Sequence, residues 1–333
     1  MRILYKILIA LGLAGLLLVV VGGFLIAGDK PERIQYGMSF NTFYTRDLGL
    51  EPKVVYDAIL DDLGVRHLRL AAHWPMVEPI DGVYDFSDLD YQLDRAEEVG
   101  ADVILAVGRR LPRWPECHIP DWADDKTWEQ QQAELLDYMK VVANRYKDRS
   151  VIKYWQIENE PYLEVFAKDH CGPFDQEFFE YEIEYFRTLD NTRPLLVTDS
   201  GNLGTWWKPY KQADAFGTSV YVYFWNPELG QFRTILPPIW YRLRTGILTA
   251  LNPKEVMLIE LSIEPWLIEP VTDVDIETQY TRMNPEKFAS ILEYAEKTHL
   301  EKQYLWGAEW WYWLKEQGDP EMWEMGKGLF SNN

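Results

Sequence analysis

Eight apolar runs of strand length alternate along the chain with stretches of helical spacing. This alternation limits the possible folds more than any other feature. The strand-like runs are Ile34–Phe40, Val65–Ala72, Asp102–Val107, Val151–Ile157, Leu195–Thr198, Ala215–Tyr221, Glu255–Leu261 and Gln303–Gly307. Helical patterns fall between them at Pro52–Leu63, Phe86–Val99, Thr127–Tyr146, Asp175–Leu189, Pro238–Leu251 and Pro285–Thr298, and a last short helix is expected near the C-terminus. The runs read as strands buried on both faces, and amphipathic helices between such strands imply parallel crossovers. The fold class expected is α/β, a (β/α)8 TIM barrel. A doubly wound open sheet is the competing arrangement, but no Gly-rich phosphate loop follows the first strand.

Residues 1–28 stand apart. Arg2 and Lys6 precede a charge-free run from Ile7 to Ala27. As a helix, about 21 residues span roughly 32 Å, enough for a bilayer core of about 30 Å. Leu25-Ile26-Ala27 is a poor cleavage site, so an uncleaved signal anchor or transmembrane helix is expected, with secretion after cleavage as the alternative. Positive charge on the N-terminal flank would direct the remainder, residues 29–333, out of the cytoplasm as a single domain. Residues 7–27 would be its membrane contact.

The formal net charge of −20 argues against a nucleic-acid partner. The two cysteines and five histidines form no metal-ligand spacing, so neither a metal nor a cofactor is expected. With 15 Trp, 20 Tyr and 14 Phe, the chain has aromatic faces to spare for stacking on sugars.

A barrel concentrates chemistry at the C-terminal ends of its strands. Strand two ends in His73-Trp74, and strand three leads into a loop bearing Trp114. Strand four ends in Asn159-Glu160, and strand six in Tyr221, Tyr223 and Trp225. Strand seven ends in Glu260, with Glu264 and Trp266 just beyond, and strand eight leads to Glu309-Trp310-Trp311. The aromatic residues Trp74, Trp114, Trp225 and Trp266, with His73, are candidate sugar contacts. Glu160 and Glu260, on strands four and seven, would face each other across the mouth. Two carboxyl groups so placed can protonate a departing oxygen and stabilise an oxocarbenium-like centre. Glu264 is an alternative partner for Glu160; Glu260 is preferred because it ends the apolar run Val256–Ile259. By strand alternation Glu158 would share a face with Glu160, as a partner of Arg69 or Arg109 or as a bystander.

The segment Trp155-Gln156-Ile157-Glu158-Asn159-Glu160-Pro161 resembles the acid/base strand of the clan A retaining β-glycosidases, the (β/α)8 clan of many cellulases, xylanases and β-galactosidases. Leu258-Ile259-Glu260 resembles the clan's nucleophile strand. Arg69–Trp74, Glu78-Pro79, Gly82, Tyr84-Asp85-Phe86 and Leu89-Asp90 are similar to the second-strand region of its β-galactosidase and xylanase branches, and Pro112–Pro115 also fits that region. The resemblance implies Glu160 as acid/base and Glu260 as nucleophile. It further implies Asn159 on the sugar 2-hydroxyl, Arg69 bracing the nucleophile, Tyr221 or Tyr223 hydrogen-bonding it, and Trp310 flooring the subsite. Ile259 departs from the Thr common in the clan before the nucleophile. The expected function is a retaining β-glycosidase acting on a carbohydrate; a catalytically silent sugar-binding barrel and a transglycosylase are the alternatives. Sugar, linkage, endo or exo action and oligomeric state are open at this level.

Cys117 and Cys171 lie in the loops after strands three and four, which are neighbours. Outside the cytoplasm, a disulfide between them is expected.

Overall fold

A computed structural model describes residues 29–331 continuously, together with residues 5, 6, 12, 13, 15, 22 and 23. Eight parallel strands close into a barrel: β1 (Gln35–Ser39), β2 (His67–Ala71), β3 (Asp102–Val107), β4 (Ile152–Ile157), β5 (Leu195–Asp199), β6 (Ala215–Val220), then β9 (Val256–Ser262) and β10 (Lys302–Trp306), which pairs back onto β1. All eight expected runs are barrel strands, with ends shifted by one or two residues. An antiparallel hairpin of β7 (Tyr223–Asn226) and β8 (Gly230–Arg233), which the alternation did not reveal, follows β6.

The helices form because their apolar positions recur every three or four residues. In the helix Trp128–Tyr146, the buried positions Leu135, Tyr138, Met139, Val142 and Tyr146 make one stripe. Thr127 and Gln130 close a reciprocal capping box at its start, worth about 1 kcal/mol. The stripes pack on the outer faces of the strands, where most of the core lies.

The barrel interior is a separate, small plug: Ile104, Leu196, Ala215, Met257, Ile259 and Tyr304, with Tyr154 against it. Two residues further along the strands, Gln156 and Thr198 replace apolar groups, and Arg69 joins them at the same level. The interior is therefore apolar below and polar above, and the polar layer is the floor of the mouth.

The expected membrane segment, residues 7–27, falls almost wholly outside the described residues. Among the described residues no helix is long and apolar enough to cross a membrane.

Candidate active site

Strand β4 stops at Ile157, and the backbone then turns sharply. Glu158 and Glu160 sit at φ 56° and 43°, in the left-handed region disfavoured for non-glycine residues. Hydrogen bonds hold this turn: Glu158 N–H donates to Val107 O (3.0 Å), Asn159 N–H to Arg110 O (2.7 Å) and Glu160 N–H to Thr198 Oγ1 (2.8 Å). The turn sends adjacent side chains in different directions. Glu158 points away from the mouth and accepts the backbone N–H groups of Arg109 (2.8 Å) and Arg110. It also shares its buried surroundings with Glu182 and the Arg109 guanidinium. Gly108 makes this possible: at φ 138°, a Cβ there would lie 2.5 Å from Glu158 Oε1. Glu158 therefore does not share a face with Glu160, because the strand that would impose alternation has already ended.

A bulge positions the second carboxylate. Pairing between β6 and β9 runs Thr218 with Leu258 and then Ser219 with Glu260, so Ile259 is the extra residue. A bulge re-aims the side chain after it, and here that side chain is Glu260.

Arg69 ties these pieces together. Buried on β2, it donates from Nε to Gln156 Oε1 (2.8 Å), from Nη1 to Glu260 Oε1 (2.9 Å) and from Nη2 to Asn159 Oδ1 (2.6 Å). Gln156 Nε2 and Thr198 Oγ1 also donate to Asn159 Oδ1, each at 3.2 Å. With its oxygen fully engaged, Asn159 has its amide N–H groups free of any acceptor among the described residues. Tyr221 Oη donates to the other oxygen of Glu260 (3.1 Å). Both oxygens of Glu260 thus face donors, one of them cationic.

Glu160 lies in the opposite environment. It is buried, and its Oε1 accepts no hydrogen bond among the described residues. Burial pushes its carboxyl well above the usual range, and the charge of Glu260 adds to this; the Ser219 hydroxyl and the Arg110 guanidinium offset only part. The two carboxyl groups thus stand in contrasting surroundings, Glu260 engaged by donors and Glu160 raised by burial, and such a pair can act as acid and base.

Two residues not singled out from the sequence, Glu116 and Trp306, border this pair, and Glu309, noted at the end of the eighth strand, lines a cavity with Arg69 and Trp306. Glu116 is pushed up to about 7, chiefly by burial and partly by Glu260, and stands 3.5 Å from Arg110 Nε. Trp306 ends β10 with its ring centroid 6.2 Å from that of Tyr221, and its buried indole Nε1 has no acceptor. Glu309 accepts the Asn41 N–H (2.7 Å) and is pushed up to about 7 by burial. The position of Trp306 as the last residue of its strand was the available signal for it. For Glu116, inside an irregular loop, there was none.

Several expected contacts lie elsewhere. Trp310 is fully buried, its Nε1 bonded to Gln279 Oε1 (2.7 Å). The cause is Gly307 (φ 118°), which turns the chain into the helix Ala308–Glu316 one residue after the strand, so Trp306 takes the place beside Tyr221. Trp74 is also core, bonded to Glu78 (2.8 Å) and stacked on Tyr138. His73 is buried against His118 and Phe43, and no contact joins it to the carboxylates. Tyr223 and Trp225 belong to the hairpin: the Tyr223 hydroxyl reaches Ser290 (3.4 Å), and Trp225 lies under the Arg282 guanidinium (3.8 Å). Tyr221, not Tyr223, reaches Glu260. Glu264 is engaged on both oxygens by Arg113 (2.8 and 2.6 Å), away from Glu160. Trp266 does border the site, with its ring 5.6 Å from that of Tyr221. Trp114 is 59% exposed and packs edge-on against His170. Cys117 and Cys171 form a disulfide that ties the Trp114–Glu116 loop to the helix Glu164–Cys171. Among the described residues no cluster of His, Cys, Asp and Glu could hold a metal.

The β-galactosidase family 42 of glycoside hydrolases matches residues 57–250, a segment that contains Glu160 and stops short of Glu260. A β-galactosidase of Arthrobacter sp. is 26% identical over 199 residues, covering 54% of this chain and 25% of that protein. β-Galactosidase BgaB of Geobacillus sp. (strain Y412MC61) is 25% identical over 134 residues, 35% of this chain and 20% of that one. The chain thus spans a quarter or less of the length of these curated relatives. Among solved structures, the cold-adapted β-galactosidase of Rahnella sp. R3 superposes with a TM-score of 0.55 at 13% identity, covering 84% of this chain and 51% of that one. Xylanase 10B of Thermotoga maritima gives 0.54 at 16% identity and 83% coverage of each chain. At such identities these structures speak to the fold alone. The family match spans more than half of the chain, and the chain belongs to glycoside hydrolase family 42, the β-galactosidase family, on a clan A barrel.

Proposed function

We propose that residues 29–333 form one catalytic domain that hydrolyses a β-glycoside by double displacement. Glu160 protonates the departing oxygen and Glu260 attacks the anomeric carbon; water, deprotonated by Glu160, then releases the sugar with retained configuration. The observation that carries this reading is the asymmetry of the pair: Glu260 receives Arg69 and Tyr221, whereas Glu160 Oε1 is buried and unbonded. The free amide N–H groups of Asn159 and the indole N–H of Trp306 would meet sugar hydroxyls, and Tyr221 and Trp266 would border the ring. The relatives point to a β-galactoside as the first substrate to test.

We also propose that residues 1–28 anchor the domain outside the cytoplasm. The Cys117–Cys171 disulfide supports an oxidising compartment. The test is hydrolysis of aryl β-galactosides, β-glucosides and β-xylosides and of β-glucans, with the anomer of the first product read by NMR. Turnover with retention, lost in Glu260→Gln, is expected. An inverted first product refutes double displacement. A folded protein that binds these sugars, turns over none of them, and binds equally well as Glu160→Gln refutes the enzyme in favour of a binding barrel.

A further inference from the structure

One side of the barrel departs from the rest of the molecule in both charge and polarity. From Leu229 to Lys254 the chain has no Asp or Glu, in a protein of net charge −20, and it carries Arg233, Arg242, Arg244 and Lys254. The same segment, running from β8 through the helix Pro238–Leu251, holds much of the exposed apolar surface: Leu229, Phe232, Ile235 (95% exposed), Trp240, Ile247 and Leu251. Trp240, Ile247 and Leu251 follow helical spacing and form one stripe along the helix. The buried side of this helix carries Tyr241 and Leu248, and Arg244, on the same face as the stripe, leans inward over Trp206 and donates to Gly204 O (2.7 Å). The stripe is therefore surplus to the core. An exposed apolar stripe of this size marks an interaction surface.

The N-terminal chain indicates what covers it. Lys30 pairs with Glu296 on the helix Pro285–Glu296, whose Tyr294 packs against Tyr241 of the striped helix. Gly23, near the end of the charge-free run, lies against the stripe helix: a Cβ there would come 3.2 Å from Leu243. The chain at Gly23 thus lies beside this face. We infer that the face formed by Leu229–Lys254 docks on a lipid bilayer, with Ile235, Trp240, Ile247 and Leu251 in the headgroup–acyl boundary. An acid-free segment with Trp and aliphatic groups on one side has the chemistry of an interfacial helix, and the exposed Arg233 favours anionic lipid. Barrel helices run roughly along the barrel axis, so this docking lays the barrel on its side and the mouth opens along the membrane plane.

This inference builds on the anchoring reading of residues 1–28, and the experiment separates the two. The full chain carries bimane at Ile247→Cys, Ile235→Cys or, as control, the exposed Val54→Cys on a different helix. Each labelled protein is mixed with vesicles of phosphatidylcholine and phosphatidylglycerol containing a spin-labelled lipid. Co-sedimentation reads the anchor; quenching reads the docking. Labels at 247 and 235 should be quenched about threefold more than the label at 54, as shallow insertion requires. Co-sedimentation with equal quenching at all three sites leaves the anchor standing and overturns the docking, whether a second copy or residues 7–27 cover the stripe. No co-sedimentation and no quenching overturns both. Ile235→Asp/Ile247→Asp, at surface positions remote from the carboxylates, should lose the quenching of a label at Leu251→Cys and retain wild-type glycoside turnover; unchanged quenching there also overturns the docking.

Discussion

Glu309 offers a quantitative test of the electrostatics at the barrel mouth. Its side chain is 1% exposed, one oxygen accepts the Asn41 N–H and the other has no partner. Burial raises its carboxyl from 4.5 to about 7, against the pull of Arg113. The folded state therefore favours the protonated form. Its contribution to stability is full below the unfolded value near 4.5 and is lost as pH rises through about 7. Each pH unit in that window is worth ~1.4 kcal/mol, so by pH 8 the ionised group costs the fold about 3 kcal/mol. Glu309→Gln keeps the acceptor for Asn41 and removes the charge. Variant and wild type should melt together at pH 4.5 and diverge between pH 5 and 7. At pH 8 the variant should melt higher by about 5 °C, taking the lower end of the Tm change per kcal/mol for a large domain. Thermal melts at both pH values decide the matter. A shift of equal size at pH 4.5 and 8, or a variant less stable at pH 8, would falsify the assignment of the strain to a buried charge.

Other positions give sharper functional readouts. Tyr221→Phe deletes one hydrogen bond to a carboxylate, worth about 1.5–3 kcal/mol, so kcat/KM on an aryl β-galactoside should fall roughly 10- to 100-fold with the melting temperature held; an unchanged rate would remove Tyr221 from the mechanism. Glu160→Gln should slow turnover by about 10²–10⁴, more for poor leaving groups. Wild-type activity should decline as pH rises through the raised value of Glu160, since only its protonated form donates; Glu160→Gln should lack that alkaline limb, and a variant that retains it would assign the proton elsewhere. Arg69→Met leaves Glu260 buried without its cation, and urea titration should register a loss of about 3–5 kcal/mol. Arg69→Lys should not restore it, because one ammonium cannot span Gln156, Glu260 and Asn159; full rescue by Lys would refute the fork geometry.

The barrel was legible in the sequence because burial on both faces forces near-continuous apolar runs, and eight of these alternate with striped helices. Glu160 and Glu260 were legible for a related reason: an ionisable group directly after such a run stands out. Cys117 and Cys171 could be paired because neighbouring strands carry their loops. Contacts made after a strand ends were not legible. Trp310 and Trp74 lie within three or four residues of strand tips, yet Gly307 and the short helix Trp74–Val77 turn both into the core. Glu264 matches Glu260 in composition, and only the reach of Arg113 from the third-strand loop separates their roles.

The sequence by itself determined the period of the fold and which strands end in acid, since both follow from local rules of burial and spacing. Tertiary structure decided the rest: the left-handed turn that separates Glu158 from Glu160, the bulge at Ile259 that aims Glu260, and the placement of Glu116 and Trp306 beside them. These depend on register between strands distant in sequence and on charges brought together only when the barrel closes.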